Sequence, residues 1–157
     1  MMPLTGMEAT GLKPAERPSP AAEYLDEAAQ DIGAKSLRIN EAAYQMKFGE
    51  PGAFPMEHPG YWAAPDRMVT VLEAEQVPVS CSSVFNVSGI RYVALVATLP
   101  SAQRKGYAEA AMRDVLDRSL ASGLDARTYL HASAAGRPIY ERMGYTFTAN
   151  HTIYAAH

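Results

Sequence analysis

The segment Pro100-Ser101-Ala102-Gln103-Arg104-Lys105-Gly106-Tyr107-Ala108 combines residue types and spacing that suit chemistry. Gly106 lets the backbone approach a ligand closely, and the small Ala108 lets a following helix begin beside it. The first N–H groups of such a helix have no partner within it and stand at the positive end of its dipole. Arg104 and Lys105 add formal positive charge. Together these features favour a diphosphate. The loop is not a Walker loop, because Gly-Lys-Ser/Thr is missing. Nor is it a dinucleotide fingerprint, which needs three spaced glycines and a later acidic residue. A polar turn opening a surface helix uses similar residues, so context must separate the two readings.

Groups able to take a proton are scattered: Glu73, His131, and Glu57 or His58 in a proline-rich stretch. Each is more often a surface carboxylate or a histidine bonded to backbone. That stretch, residues 49–66, holds four prolines with Phe54, His58, Tyr61 and Trp62 between them. It reads as an ordered loop, either a hydrophobic plug or one wall of a substrate pocket formed by His58, Tyr61 and Trp62. Cys81, a lone thiol in a Val/Ser-rich run, reads as buried and inert. Ser80, Ser82 and Ser83 lack the Gly-x-Ser-x-Gly elbow of a serine nucleophile. His58, His131, His151 and His157 show no metal-ligand spacing, so no metal is expected.

The elements that must position these residues follow from pattern. Residues 1–20, with four prolines and no apolar periodicity, read as a flexible arm, and 21–157 as a single domain. Tyr24, Leu25, Ala28, Ala29 and Ile32 recur at helical spacing up to a stop at Gly33. A second helix begins near Ser36, with Leu37, Asn40, Ala43, Tyr44 and Phe48 on a mostly apolar face. Residues 68–72 and 77–85 read as a hairpin, and 92–98 as a central strand covered on both faces. A helix with Ala108, Ala111, Met112, Val115, Leu116 and Leu120 inside runs to Gly123. Strand 128–132, a short helix 138–143 and strand 145–154 complete a mixed α/β chain.

In that context the loop, with Gln103, Gly106 and Ala108, resembles the acetyl-coenzyme A (acetyl-CoA) loop Gln/Arg-x-x-Gly-x-Gly/Ala of GNAT-type N-acetyltransferases. A second stretch, Leu130-His131-Ala132-Ser133-Ala134-Ala135-Gly136-Arg137-Pro138-Ile139-Tyr140-Glu141-Arg142-Met143-Gly144-Tyr145, is similar to that family's closing strand, short helix and Leu-Tyr-x-x-x-Gly-Phe ending. The likeness covers about residues 68–145. It implies a mixed, mostly antiparallel sheet flanked by helices. It also implies direct transfer of an acetyl group from acetyl-CoA to a primary amine, both bound together. Gln103, Arg104, Lys105, Gly106, Tyr107 and Ala108 would then hold the pyrophosphate. Leu95, Val96, Ala97 and Thr98 would present backbone groups to the pantetheine and the thioester. Ser133, where many relatives carry Asn, and Gly136 would lie beside the cofactor. Tyr140 would protonate the departing thiolate, which a phenol with pKa about 10 can do at neutral pH. The catalytic set is then Tyr140 with His131 or Glu73 as base.

Composition limits the remaining classes. Fourteen Lys and Arg against 17 Asp and Glu leave a net charge of -3, the wrong sign for a generic nucleic-acid binder. Pro, Gly or a charge interrupts every apolar run before membrane-spanning length, so no membrane partner is expected. The start lacks a secretory pattern and one cysteine offers no disulfide, so the expected location is cytoplasmic. The expected partner is a small-molecule or peptide amine, and the resemblance makes a homodimer reasonable. The alternative is a non-catalytic acyl-CoA-binding sensor or interaction module, or an N-terminally shortened acetyltransferase.

Overall fold

The computed structural model describes residues 1–26 and 28–154. Glu27, within the first helix expected from sequence, and residues 155–157, including His157, lie outside them.

Seven strands form one sheet: β1 (Met2–Ala9), β2 (Glu23–Tyr24), β3 (Arg67–Ala74), β4 (Val77–Val87), β5 (Ile90–Thr98), β6 (Thr128–Ala132) and β7 (Thr146–Ile153). Their order is β2-β3-β4-β5-β6-β1-β7. Only β5 and β6 run parallel; every other neighbouring pair is antiparallel. Three helices flank the sheet: α1 (Ile32–Tyr44), α2 (Tyr107–Ala121) and α3 (Arg137–Met143). This is the mixed, mostly antiparallel, helix-flanked sheet expected from the sequence.

Alternation along β3 puts α1 and α2 on opposite faces. Val69 and Val71 pack with Ile32 and Ile39 of α1, whereas Leu72 packs with Ala110 and Ala111 of α2. Thr70, on the α2 side, donates to Asp114 at 2.5 Å. A larger core lies between α2, α3 and the other half of the sheet, where Met7, Val84, Val93, Met112, Leu130 and Met143 are all at most 2% exposed. Among the described residues, no helix is long and apolar enough to cross a membrane.

Three sequence expectations are corrected. Residues 2–9 are not part of a loose arm: they form β1, paired with β6 on one side and β7 on the other. Met7 and Ala9 bury their side chains in the core, and Gly6 sits where a side chain would collide with Tyr129 and His151. The helix expected over residues 24–32 does not form. The Leu25 N–H instead donates to Val71 O at 3.0 Å, prolonging the β2–β3 pairing, so an edge-strand partner overrides local periodicity. Gly33 is inside α1 and not a helix stop, because the backbone carbonyl of Met56 lies where its side chain would be. The loop 49–66 is ordered, with 3-10 turns at Pro55–Glu57 and Tyr61–Ala63, and it covers the start of α1.

Candidate active site

β5 is paired on both sides only along its first half. Arg91, Tyr92 and Val93 match Thr128, Tyr129 and Leu130 of β6, and the ladder then stops. On the β4 side the register shifts between Cys81 and Ser83, and Leu95 takes a left-handed φ of 54°. That conformation is strained for a leucine and persists only where neighbours enforce it.

The enforcement comes from side chains that take over the carbonyls of the shifted strand. Ser83 Oγ donates to Ala94 O at 2.7 Å and Ser80 Oγ to Ala97 O at 2.9 Å. Leu95 O accepts from Asn40 Nδ2 and from Cys81 Sγ, both at 3.3 Å. Tyr44 Oη donates to Val96 O at 2.7 Å. Four consecutive carbonyls are thereby satisfied by side chains of β4 and α1 without a β6 partner, which lets β5 and β6 diverge without leaving those carbonyls unpaired. Two of the three serines, Ser80 and Ser83, are thus the opening's support. Cys81 is fully buried, and burial pushes its thiol up to about 12, which fits the inert reading.

The divergence opens into a cleft of about 820 Å³. Val96, Ala97 and Thr98 form one side and Ser133, Gly136 and Tyr140 another, with Gln103, Arg104, Gly106, Tyr107 and Ala108 at the end. Gly106 has φ 88° and precedes the first turn of α2, which has no side-chain cap. The Ala110 N–H donates to Gly106 O, so the amides of Tyr107, Ala108 and Glu109 precede the first bond of the helical ladder and open towards the cleft. A Cβ on Gly106 would meet only Pro20, 3.6 Å away. Gln103 Nε2 donates to Thr98 O at 3.4 Å and ties the loop to the strand.

Tyr140 is 7% exposed, its ring edge-on to Tyr145 at 6.1 Å. Among the described residues its hydroxyl has no hydrogen-bond partner. Burial first, then the neighbouring phenols Tyr44 and Tyr145, hold its pKa well above the ordinary tyrosine value. A Cβ on Gly136 would lie 3.0 Å from the Tyr140 ring, so this glycine makes room for it. Ser133 Oγ accepts from the Gly136 N–H at 3.2 Å and shapes the turn into α3.

The other expected site residues lie elsewhere. Leu95 points away from the cleft into the α1-side core, and Lys105 reaches back to Ser101 O at 3.4 Å. Glu73 pairs with Lys35 at 3.1 Å near the sheet edge. His131 is on the opposite face of β6 from the α2–α3 core, its Nδ1 2.9 Å from Tyr92 Oη and its ring 4.6 Å from that of His151. Desolvation, then His151, lowers its pKa. Trp62 donates from Nε1 to Met56 O at 3.0 Å and packs on Tyr61 and Phe85. Tyr61 lies under the Arg67 guanidinium. The structure therefore favours a plug for Tyr61 and Trp62; His58, in the same loop, does not line the cleft. Glu57 pairs with Arg38 at 3.1 Å.

Sequence reasoning did not place Asn40 and Tyr44 behind the opened strand, nor Arg17 on the cleft lining. The first two sit four residues apart on α1, and with Ser36 they make a polar stripe on a face otherwise apolar, which was the available signal.

The sequence model of the acetyltransferase (GNAT) domain matches residues 57–157. The chain belongs to the GNAT acetyltransferase family. No curated protein matches it by sequence. Among solved structures it is similar to a GCN5-related N-acetyltransferase from Kribbella flavida, with TM-score 0.65 and 20% identity over 94% of this chain and 55% of that one. A GNAT-family protein from Novosphingobium aromaticivorans gives 0.64 and 21% over 95% and 61%. An aminoglycoside acetyltransferase from an uncultured soil metagenomic sample, in complex with sisomicin, gives 0.66 and 15% over 87% and 96%. The chain thus spans little more than half the length of the first two relatives. Among the described residues, no group of three or more His, Cys, Asp or Glu is arranged to hold a metal.

Proposed function

We propose that the chain is an acetyl-CoA-dependent N-acetyltransferase that moves an acetyl group to a primary amine of a small molecule or peptide. The observation that carries this is the built opening between β5 and β6: a cleft with bare helix amides at one end and a buried phenol at its side. The residues present fit the cofactor. Gly106 leaves the mouth of α2 clear for a diphosphate, and Arg104 supplies charge there. The backbone of Val96–Thr98 is available to line the pantetheine arm, with Tyr44 standing at Val96 O where that arm must pass.

Bound acetyl-CoA supplies the acyl group as a thioester and a thiolate as leaving group. Tyr140 holds the proton for that thiolate. Its raised pKa keeps the phenol protonated throughout the working range, as a general acid requires. The cleft's carboxylates among the described residues are Glu16 and Glu109, and Glu109 is paired with Arg113 at 2.8 Å. An acceptor amine therefore loses its proton to water or to Glu16 before it attacks. The sisomicin-bound neighbour supports a small-molecule amine, and the chain's net charge of -3 suits a cationic one.

The scarcity of carboxylates in the cleft also favours a second reading, an acyl-CoA-binding module that transfers nothing. One assay separates the two. Purified protein with labelled acetyl-CoA and an amine panel should acetylate at least one amine. Tyr140→Phe should lower kcat by about 100-fold with cofactor affinity nearly unchanged. Binding without transfer to any amine favours the module, an unchanged kcat removes Tyr140 from the chemistry, and no binding at millimolar cofactor rejects both readings.

A further inference from the structure

The placement of β1 forces an unusual path on the chain. β1 lies between β6 and β7, while β2 is at the far edge beyond β3. Five strand spacings of about 4.8 Å, about 24 Å in all, separate them. The connecting residues 10–22 can span about 45 Å when extended, so the segment has slack to bow outward. It does so across the cleft. The Lys13 N–H donates to Met143 O at 2.9 Å at one end, and Ala22 packs with the cluster of Leu72, Ala102 and Ala110 at the other. Between these anchors, residues 15–20 line the same cleft as the α2 loop, and Pro20 stands 3.6 Å from where a Gly106 side chain would begin. Pro14, Pro18 and Pro20 fix three φ angles, which lowers the entropy lost in holding this crossing in place.

Four arginines face the cleft: Arg17, Arg104, Arg113 and Arg142. Arg113 is bonded twice to Glu109, and Arg142 donates to Pro138 O. Among the described residues, Arg17 on the crossing segment and Arg104 on the loop have no hydrogen-bond or ion-pair partner. Glu16, beside Arg17, is the segment's opposing charge. We infer that residues 15–20 form a wall of the cofactor site and that Arg17 pairs with a phosphate of the nucleotide end of coenzyme A. This rests on the acetyl-CoA reading above. The chemistry is charge-assisted and forked, as guanidinium–phosphate pairs are, and the α2 amides take the opposite side of the diphosphate.

The test is calorimetric binding of three probes to the wild type, Arg17→Ala and Arg17→Lys: acetyl-CoA, its 3′-dephospho form, and phosphate-free acetyl-pantetheine. Arg17→Ala should weaken acetyl-CoA about tenfold, flatten the salt dependence of binding and leave acetyl-pantetheine unchanged. Arg17→Lys should recover part of the loss. An equal loss with the dephospho form assigns Arg17 to the diphosphate, and no loss with that form assigns it to the 3′-phosphate; either supports the inference. Acetyl-CoA affinity unchanged or increased in Arg17→Ala overturns it, as does an equal loss for acetyl-pantetheine. Failure of the wild type to bind acetyl-CoA rejects the underlying cofactor reading instead, so the two failures are distinguishable.

Discussion

The two halves of β5 solve opposite problems with the same backbone. From Arg91 to Val93 the strand is laddered on both sides, and its side chains go into packing. Arg91 is 4% exposed, with Nη1 donating to Leu116 O and Ser119 Oγ and Nη2 to Ala126 O, all at 2.8 Å. From Leu95 to Thr98 the β6 partner is gone, and α1 and β4 supply hydroxyl, amide and thiol donors in its place. A closed sheet spends side chains on burial. An opened one spends them on keeping backbone carbonyls satisfied, which is why polar residues concentrate around the cleft's rear wall.

This contrast predicts which substitutions affect stability alone. Arg91→Ala, in the closed half, removes three buried hydrogen bonds and should cost about 4 kcal/mol in chemical denaturation, with cofactor affinity per folded molecule unchanged. A matching fall in affinity would mean that the halves are not independent. Asn40→Ala, behind the opened half, should cost about 2 kcal/mol and also raise KM for the cofactor, because Leu95 O loses a donor and the bulge relaxes. Stability loss with unchanged KM would reduce Asn40 to a packing role.

A pH titration compares the halves more gently. Tyr145, whose hydroxyl accepts from Thr128 at the closed end, is pushed up to about 12 by burial, and Tyr140 is raised as well. Both folded values exceed the ordinary tyrosine value near 10, so the folded chain holds more protons and stability falls as pH rises from about 10. Each phenol contributes about 1.4 kcal/mol per pH unit in that window. Tyr140→Phe should remove one such share from the slope above pH 10 and change nothing below it. A slope identical to the wild type would show that Tyr140 titrates normally.

Residues 67–146 were legible because each element there carries its own pattern: the alternating Val/Ser hairpin, the apolar β5 run, and the glycines at 106, 123 and 144 that end or begin helices. The loop 100–108, proposed to hold the cofactor, was legible for the same reason, its shape being set by local backbone. β1 was not, because its two buried side chains, Met7 and Ala9, are only two residues apart and a proline and a glycine interrupt the alternation. Gly6 is glycine because Tyr129 and His151, more than 120 residues away in sequence, fill the space. Asn40 and Tyr44 were legible as exceptions on an apolar face but not as partners of β5, since nothing local shows which carbonyls a bulge will free. The scattered base candidates failed to converge because residue type alone carries no direction.

β1 has one consequence for biosynthesis. Its partner Thr128 lies 119 residues downstream of Ala9. At roughly 5–20 residues per second a ribosome needs roughly 6–24 s to make that stretch. Throughout that interval β1 waits with both edges unpaired, and Pro3 and Gly6, which obscured it in the sequence, are the residues that make it a poor template for a stray strand from another nascent chain.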